Sequence, residues 1–409
     1  YGKGYLPYAK AAYDTMTLEQ VVEDKCKYSG RDPKSFLSLD EVLKMDDISG
    51  ENGRFVRVIT AANGKKAFLR IYKDNHVYPY ESQISTALKT LLQEAPMVGF
   101  VTGHKERSGM DMGEKGYGTF ASNKTFRYSL ENSGYGVREI SLEHPVAEDI
   151  NIIVISDMRE WFTPKQEANL QQYIDRGGNL FILGEPKRRD VMNNLFAKFG
   201  YEMTTGVLVK RDTNLQADVI LSYPTKEADS IAYDFGTMRN RRMVITTPST
   251  AGLEQIADKG YTVTNMFTTD TIGVWNELET TDFIDDTVCL NPAIGEVEKI
   301  YNTVVALSRK VGNKEQKIIL TGDADCISNG EFGRRVPTAR ASNFSLITGG
   351  FFWMSDNEVP IDVRRPALPD NKVYVEKTGS KVIKWSFMIV LPLLLAGIGI
   401  FLWIRRKGR

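Results

Sequence analysis

Cysteine and histidine are both scarce in this chain of 409 residues, which contains only three of each. Three widely spaced cysteines make neither a disulfide framework nor a metal-knuckle pattern, and three scattered histidines offer no metal-binding cluster. We therefore expect a fold that is stabilised by burial alone, with no metal and no cofactor. The cysteines are Cys26, Cys289 and Cys326, and the histidines are His76, His104 and His144.

An excess of one charge is also missing, because Lys+Arg and Asp+Glu both number 52. A nucleic-acid-binding protein needs a basic face, so this balance argues against a nucleic-acid partner. With 42% apolar and 25% charged residues, the composition is typical of a folded chain. Neither an initiator Met nor a signal peptide stands at Tyr1, so we expect a fragment or a processed product.

The motifs of several common enzyme classes are incomplete. The phosphate-binding loop of P-loop ATPases does not occur. Hydrolases with a nucleophile elbow place Ser or Cys in a strand-to-helix turn, whereas residues 183–186 read Leu-Gly-Glu-Pro. Residues 323–325 (Asp-Ala-Asp) are similar to the Asp-x-Asp of haloacid-dehalogenase phosphatases, but Cys326-Ile327 replaces the usual Gly-Thr. We expect no catalytic residue.

One long apolar run lies near the C-terminus, from Trp385 to Ile404. About 20 apolar helical residues cross a hydrocarbon core roughly 30 Å thick, and a soluble core helix is rarely apolar on every face for this length. We predict one transmembrane helix at 385–404 and a cytoplasmic tail at 405–409, with residues 1 to about 380 outside the cytoplasm. This orientation follows from the positive-inside rule, because Arg405, Arg406, Lys407 and Arg409 follow the span and only Lys381 and Lys384 precede it closely.

Alternating strand and helix signals predict an α/β domain with a parallel sheet at residues 81–355. The apolar run 151–156 is typical of a strand buried on both faces. Thr163, Pro164 and Gln166 provide an N-cap, a first-turn proline and a capping box for the next helix, and residues 179–184 are the following strand. This βαβ unit should be right-handed. We expect its core to contain Ile153, Ile155, Leu170, Ile174, Phe181 and Leu183 together.

The remaining segments predict smaller units around this domain. Residues 1–80 indicate a helical lead-in and a β-hairpin that turns at Asn63-Gly64. A β-rich insertion is expected at about 201–290, and a polar stalk at 356–384. Further predicted elements are helices at 81–94, 119–132, 295–309 and 343–354, the last with a kink at Gly349-Gly350, and strands at 97–101, 137–142 and 317–323.

Polar residues at the carboxyl ends of the predicted strands form the candidate site. Open α/β sheets bind ligands at this edge, which is why these residues are ligand-binding candidates. Such residues also cap helices and turns in any fold of this kind, so ligand binding and capping both stay open as interpretations. The candidates are His104, Glu106, Asp157, Glu185, Asp323, Asp325 and Asn329.

Three stretches and the closing span resemble the GldG-type auxiliary components of bacterial ABC transporters, which are best known from gliding motility. These stretches are 98–106 (VGFVTGHKE), 152–186 and 318–329 (IILTGDADCISN), and the resemblance covers about residues 80–409. It implies an extracytoplasmic flavodoxin-like domain, similar to one in intraflagellar transport proteins, beside an ABC-2 type permease and its ATPase. The family's usual Gly-His-Gly-Glu turn reads Gly-His-Lys-Glu here, which puts Lys105 in place of a glycine.

We therefore expect a non-catalytic subunit that acts by contact with protein or cargo. Its place would be the bacterial inner membrane, with most of the chain in the periplasm, and its partners the permease, the ATPase and the bilayer; homo-oligomerisation is left open. The alternative is an envelope hydrolase that acts on carbohydrate or phosphate substrates through strand-end carboxylates. That alternative would place Glu106, Glu185 and Asp323 within ~6 Å of one another around a pocket or metal.

Overall fold

The computed structural model describes residues 15–72, 74, 76, 78–365 and 375–408. The chain divides into two units, Tyr1–Asp362 and Val363–Arg409. Parts of two predicted segments, residues 1–14 of the lead-in and 366–374 of the stalk, lie outside the described residues.

The described part of the first unit contains sixteen strands. In chain order, β1 to β16 are Val56–Thr60, Lys66–Arg70, Met97–Val101, Gly136–Ile140, Ile150–Ser156, Asn179–Leu183, Tyr201–Met203, Val207–Lys210, Val219–Pro224, Met243–Pro248, Leu253–Gln255, Thr262–Thr268, Val274–Glu277, Asn302–Val311, Lys314–Thr321 and Arg340–Ala341.

Helices alternate with these strands in the first half of the chain and are sparse in the second. In chain order, α1 to α11 are Leu18–Ser29, Leu39–Met45, Glu81–Leu92, Gly118–Ala121, Leu130–Ser133, Pro164–Asp175, Arg189–Ala197, Tyr233–Asn240, Asn343–Met354, Lys377–Trp385 and Leu391–Lys407.

The predicted hairpin is confirmed, because β1 and β2 pair antiparallel on either side of the Asn63-Gly64 turn. Gly64 has φ = +82°, the left-handed conformation that this turn requires. Ala67 of β2 packs against Ala87 and Leu91 of α3, and these side chains form a small core of their own. The α+β unit at the N-terminal end is thus built from the hairpin and the helix that follows it.

A large mixed sheet forms the centre of the α/β fold. Within the described residues it has twelve strands, ten of them in the order β16-β10-β9-β12-β14-β15-β6-β5-β3-β4, with β7 and β11 attached at the side. β15, β6, β5, β3 and β4 are parallel neighbours, whereas β9, β12, β14 and β15 pair antiparallel. β9, β10 and β12, from the predicted insertion, therefore extend the same sheet.

The βαβ unit of β5, α6 and β6 forms as the sequence predicts. The side chain of Thr163 accepts a hydrogen bond from the Gln166 amide, and the capping box is complete. Ile153, Ile155, Leu170 and Ile174 share one core, but Phe181 and Leu183 lie in the core on the opposite face of the sheet. The prediction of a single core was wrong for these two residues because successive side chains of a strand point to opposite faces, so Leu180 and Ile182 face α6.

Two predicted helices are wrong. Residues 302–309 of the helix expected at 295–309 belong to β14 instead. Eight residues of β14 pair with β15, and this tertiary pairing outweighs local preference. The helix expected at 119–132 is split into α4 and α5. Between them, the Asn123 side chain accepts a hydrogen bond from the Thr125 amide and forms a turn, and Ser129 caps α5.

Helix α9 runs without interruption from Asn343 to Met354, and a kink at Gly349-Gly350 stays a prediction. Gly349 allows close packing, since a Cβ atom there would lie 2.7 Å from the Phe235 ring. The glycine therefore lets α9 approach α8.

The second unit contains one long apolar helix. α10, a π-helical turn at Ser386–Val390 and α11 join into a helix of 31 residues, Lys377–Lys407, that is long and apolar enough to cross a membrane. The helix includes residues 377–384, which we had predicted as part of the stalk. The predicted apolar span is thus a helix in the structure.

Candidate functional site

The site lies where four parallel strands of the central sheet end. β15, β6, β5 and β3 are neighbours and run in the same direction, so the loops that follow them meet at one edge of the sheet. These loops carry Arg107 after β3, Asp157 after β5, Glu185 after β6 and Asp325 after β15. The edge at which α/β sheets bind ligands therefore brings together one basic and three acidic side chains.

Arg107 is the centre of this cluster. Its Nε donates to Oδ2 of Asp157 at 3.3 Å, and its Nη2 donates to Oε2 of Glu185 at 3.4 Å. Its Nη1 donates to Oδ1 of Asp325, whose other oxygen accepts from Lys115. Arg107 is only 9% exposed, so a buried guanidinium binds carboxylates from three strand ends.

The cluster shifts the proton affinities of its members. Burial raises the pKa of Glu185, and the nearby Asp157 and Asp325 raise it further. Burial also acts to raise the pKa of Asp325, but Arg107 and Lys115 outweigh burial and lower it. For Arg107, burial acts to lower the pKa, whereas Tyr117, Asp325 and Asp157 raise it above its usual value. Asp325 is therefore the ionised partner that Arg107 and Lys115 stabilise most directly.

Asp323 is buried beneath the cluster and is 1% exposed. Its Oδ1 accepts a hydrogen bond from the Asp325 amide at 2.6 Å, while its Oδ2 is buried without a hydrogen-bond partner. Burial, followed by Asp325 and Glu185, raises the pKa of Asp323 well above its usual value. These contacts make Asp323 a residue that orders the Asp-x-Asp turn, and it does not line the cavity described below.

His104 and Glu106 form a separate pair in the loop after β3. The Glu106 carboxylate accepts a hydrogen bond from the His104 amide at 2.6 Å and faces its Nδ1 at 3.0 Å. Nε2 of His104 lies 3.0 Å from Oε1 of Gln166, and the ring lies edge-on to Phe162. Both ring nitrogens thus have oxygen partners, and the pair ties the loop to the start of α6.

Lys105 stands between these two residues with φ = +64°, a backbone conformation that favours glycine. This explains physically why the resembling family has a glycine at the corresponding position. The Lys105 side chain is exposed and binds Glu160 at 2.5 Å, so its charge is accommodated on the surface.

A cavity of about 380 Å³ opens beside the Arg107 cluster. Its acidic lining residues include Glu106, Asp157, Glu185 and Asp325. Basic residues also line it: Lys105, Arg107, Lys115, Arg159, Lys187 and Arg188. Lys187 and Arg188 belong to a 3-10 turn, Pro186–Arg188, that directly follows Glu185.

The structure therefore separates the sequence-predicted residues into different roles. Asp157, Glu185 and Asp325 meet around Arg107, whereas His104 and Glu106 pair with each other. Asn329 bridges the loop after β3 to that after β15: its Nδ2 donates to the carbonyls of Asp111 and Gly113, and its Oδ1 accepts from the Thr119 amide.

Sequence reasoning missed Arg107 and the basic turn Pro186–Arg188. The signal was a basic residue immediately after the candidate Glu106, and three basic residues immediately after Glu185-Pro186. Sequence reasoning selected the carboxylates and did not look for their cationic partners, although buried carboxylates require such partners.

Metal-ligand geometry lies elsewhere in the described part of the chain. There, Glu277, Glu279 and Glu296 place carboxylate oxygens within 4.8 Å of one another, and the strand-end carboxylates form no such group. Glu277 accepts from the Glu279 and Thr280 amides, and Glu296 accepts from the Leu278 and Asn291 amides. These bonds account for the two buried carboxylates as turn-forming groups.

Residues 95–257 match a family model described as an ABC-type uncharacterized transport system. The predicted family resemblance is confirmed. The matched segment runs from the start of β3 to just beyond β11 and includes Arg107, Asp157 and Glu185, whereas Asp325 lies outside it. No curated protein sequence matches the chain significantly.

Solved structures resemble the chain at low sequence identity. The N-terminal domain of mmIFT52 is 14% identical with a TM-score of 0.43, over 63% of this chain and 97% of that domain. A ThuA-like protein from Bacteroides uniformis is 14% identical with a TM-score of 0.36, over 64% of this chain and 93% of that protein. The cytoplasmic protein STM3548 from Salmonella typhimurium is 10% identical with a TM-score of 0.31, over 56% and 87%.

Proposed function

We propose that this chain is a non-catalytic auxiliary subunit of an ABC-2 type transport system of the GldG type, as in gliding motility, and that it acts by contact with protein or cargo. The observation that carries the proposal is the match of residues 95–257 to a transport-system family on a chain that also has a helix of membrane-spanning length. The permease and its ATPase are the partners that this proposal requires.

The charge at the two ends of the apolar helix supports a periplasmic position for the first unit. Four basic residues follow Ile404, whereas Lys381 and Lys384 precede Trp385. Basic residues are retained on the cytoplasmic side of single spans, so the short C-terminal tail would face the cytoplasm of the bacterium.

The chemistry of the strand ends supports a non-catalytic role. The carboxylates of Asp157, Glu185 and Asp325 are bound by Arg107, so none of these three is a free general acid or base. The buried Cys326 is a poor nucleophile, because burial and the nearby Asp323 raise the pKa of its thiol well above the usual value. The hydrolase alternative is not favoured, since Asp323 does not line the cavity and the Glu106 carboxylate is bound to His104.

Purification of the tagged full-length chain from its own bacterium in a mild detergent tests the partners. We expect an ABC-2 type permease and its ATPase to co-purify with the full chain and to be lost when the chain is cut before Trp385. Recovery of neither partner with the full chain, under conditions that preserve a known transporter complex, would contradict the proposal.

Conservative carboxylate variants test whether the site is catalytic. Glu185→Gln and Asp325→Asn should leave transport-dependent growth or motility close to that of an Asp149→Asn control, whose side chain is exposed. An enzyme would lose activity by orders of magnitude with one such change while its folding and its partners stayed intact. That result would favour the hydrolase.

A further inference from the structure

The cavity beside Arg107 has an unbalanced positive side. Four of its five acidic side chains are in ion pairs: Glu106 with His104, Asp325 with Arg107 and Lys115, and Asp157 and Glu185 with Arg107. The fifth, Asp111, accepts a hydrogen bond from the Gly113 amide. Among the described residues, neither Lys187 nor Arg188 has a carboxylate oxygen within 4.0 Å. The turn after Glu185 therefore carries cationic charge that no carboxylate of the described residues pairs with, and this charge is available to a ligand.

Arg188 has a buried nitrogen that lacks an acceptor. Its Nη1 donates to the Lys187 carbonyl at 3.3 Å, but its Nε is buried and has no hydrogen-bond partner. A buried guanidinium nitrogen without an acceptor is unfavourable, and a guanidinium matches the geometry of an oxyanion. An oxyanion in the cavity would supply the missing acceptor.

Asp157, which also lines the cavity, has a buried oxygen that lacks a hydrogen-bond donor. It is 6% exposed, its Oδ2 is bound to Arg107, and its Oδ1 is buried without a partner. Its φ of +49° is rare for a residue other than glycine, and such backbone conformations concentrate at ligand sites. A carboxylate oxygen accepts hydrogen bonds only, so Asp157 requires a donor from the ligand.

We propose that this cavity binds phosphate that carries its own proton, as the inorganic ion or as a monoester, with the phosphate oxygens on Arg188 and Lys187 and the P–OH group donating to Asp157. Hydrogen phosphate supplies both the acceptors and the donor, whereas sulfate at neutral pH has acceptors only. Phosphodiesters of membrane lipids have no such proton and do not satisfy Asp157.

The volume and the positions of the remaining orphan atoms agree with this assignment. A cavity of about 380 Å³ holds a phosphate with room for the organic part of a monoester. The other buried side-chain atoms without a partner in the described residues are Oδ1 of Asp218 and Oδ2 of Asp323, and neither residue lines this cavity. The two residues of this lining that hold an orphan atom, Arg188 and Asp157, require one acceptor and one donor, and a protonated phosphate offers both.

Isothermal titration of the full chain in a maltoside detergent tests the proposal with inorganic phosphate, glycerol 3-phosphate and sulfate. We expect phosphate to bind at least about tenfold more tightly than sulfate, the effect of one hydrogen bond to a charged group. The monoester, whose second pKa is about 6, should bind more weakly at pH 8 than at pH 6, since it loses the proton that Asp157 accepts.

Matched variants separate the two contacts. Arg188→Gln should weaken phosphate binding at least about tenfold, whereas Arg189→Gln, which removes the same charge from a neighbour outside the cavity, should not. Asp157→Asn should reduce the preference for phosphate over sulfate at least about tenfold, because an amide donates to either anion. Asp190→Asn, which also lies outside this cavity, should keep the preference.

Equal affinity for phosphate and sulfate in the unaltered chain would overturn the proposal, as would the absence of phosphate binding. This comparison needs no variant and therefore decides the matter even if Asp157→Asn fails to fold. The inference goes beyond the proposed function and is tested on the purified chain alone, so a failure to recover a permease would leave it standing.

Discussion

Arg107 and Asp325 form an ion pair although 218 residues separate them in the chain. The pair joins the loop after β3 to the turn after β15, two strands with β5 and β6 between them in the sheet. The edge of the sheet is therefore held together by charge as well as by the backbone bonds of the strands.

Replacing Arg107 with Met should destabilise the first unit by about 3–5 kcal/mol, because buried carboxylates would lose their cation. The loss should be smaller at acid pH, where those carboxylates are protonated, and larger at neutral pH. Urea unfolding of the full chain in detergent, followed by tryptophan fluorescence, measures both. Arg138→Met is the control, since its ion pair with Asp149 is about half exposed, and a similarly small loss for Arg107→Met would contradict burial of the cluster.

Replacing Asp323 with Asn should increase stability at neutral and alkaline pH. Burial raises the pKa of Asp323, so the folded chain holds a proton that the unfolded chain has lost, and wild-type stability falls as pH rises through that window. Asn removes this fall and keeps the oxygen that accepts from the Asp325 amide. Unfolding free energies measured from pH 5 to pH 8 decide this; parallel curves for the two proteins would show that Asp323 ionises normally.

Ile155 of β5 is fully buried, and its replacement with Ala should cost about 2–5 kcal/mol in the free energy of unfolding. The same substitution at Ile272, which is 73% exposed, should change it by less than about 0.5 kcal/mol. A small effect at Ile155 would mean that the face of the sheet under α6 is not packed as described.

Cysteine labelling in intact cells tests the orientation of the anchor. Asn313, in the turn between β14 and β15, is exposed and outside regular structure, so Asn313→Cys in a Cys289→Ser background should react with a membrane-impermeant maleimide. A cysteine added after Arg409 should react only once the cells are opened. The reverse pattern would place the first unit in the cytoplasm.

The sequence predicted those elements that carry their own local signals. The strand at 151–156 is a run of apolar residues, and α6 begins with a cap, a proline and a capping-box glutamine; each follows from chemistry within a few residues. The helix predicted at 295–309 was wrong because the conformation of β14 is determined by its pairing with β15. A short stretch of sequence does not show that pairing.

The sequence likewise predicted only part of the candidate site. Strand ends located Asp157, Glu185 and Asp325, since parallel strands bring their carboxyl ends to one edge. Their partner, Arg107, could not be predicted, because which carboxylate meets which cation depends on loop conformation and strand order. Phe181 and Leu183 were assigned to the wrong face for a simpler reason: strand alternation, visible in the sequence, was not applied to β6.

β15 lies in the middle of the sheet, between β6 and β14, although nearly all the other strands precede it in the chain. During synthesis, β6 therefore has an open edge until residues 314–321 emerge, and Asp325 reaches Arg107 only after that. The Arg107 cluster can therefore be complete only after β15 has taken its place in the sheet. In a chain secreted from its N-terminal end, β15 would pair with β6 shortly before the apolar helix stops transfer. The complete strand-end site would therefore form only on molecules that are almost completely exported.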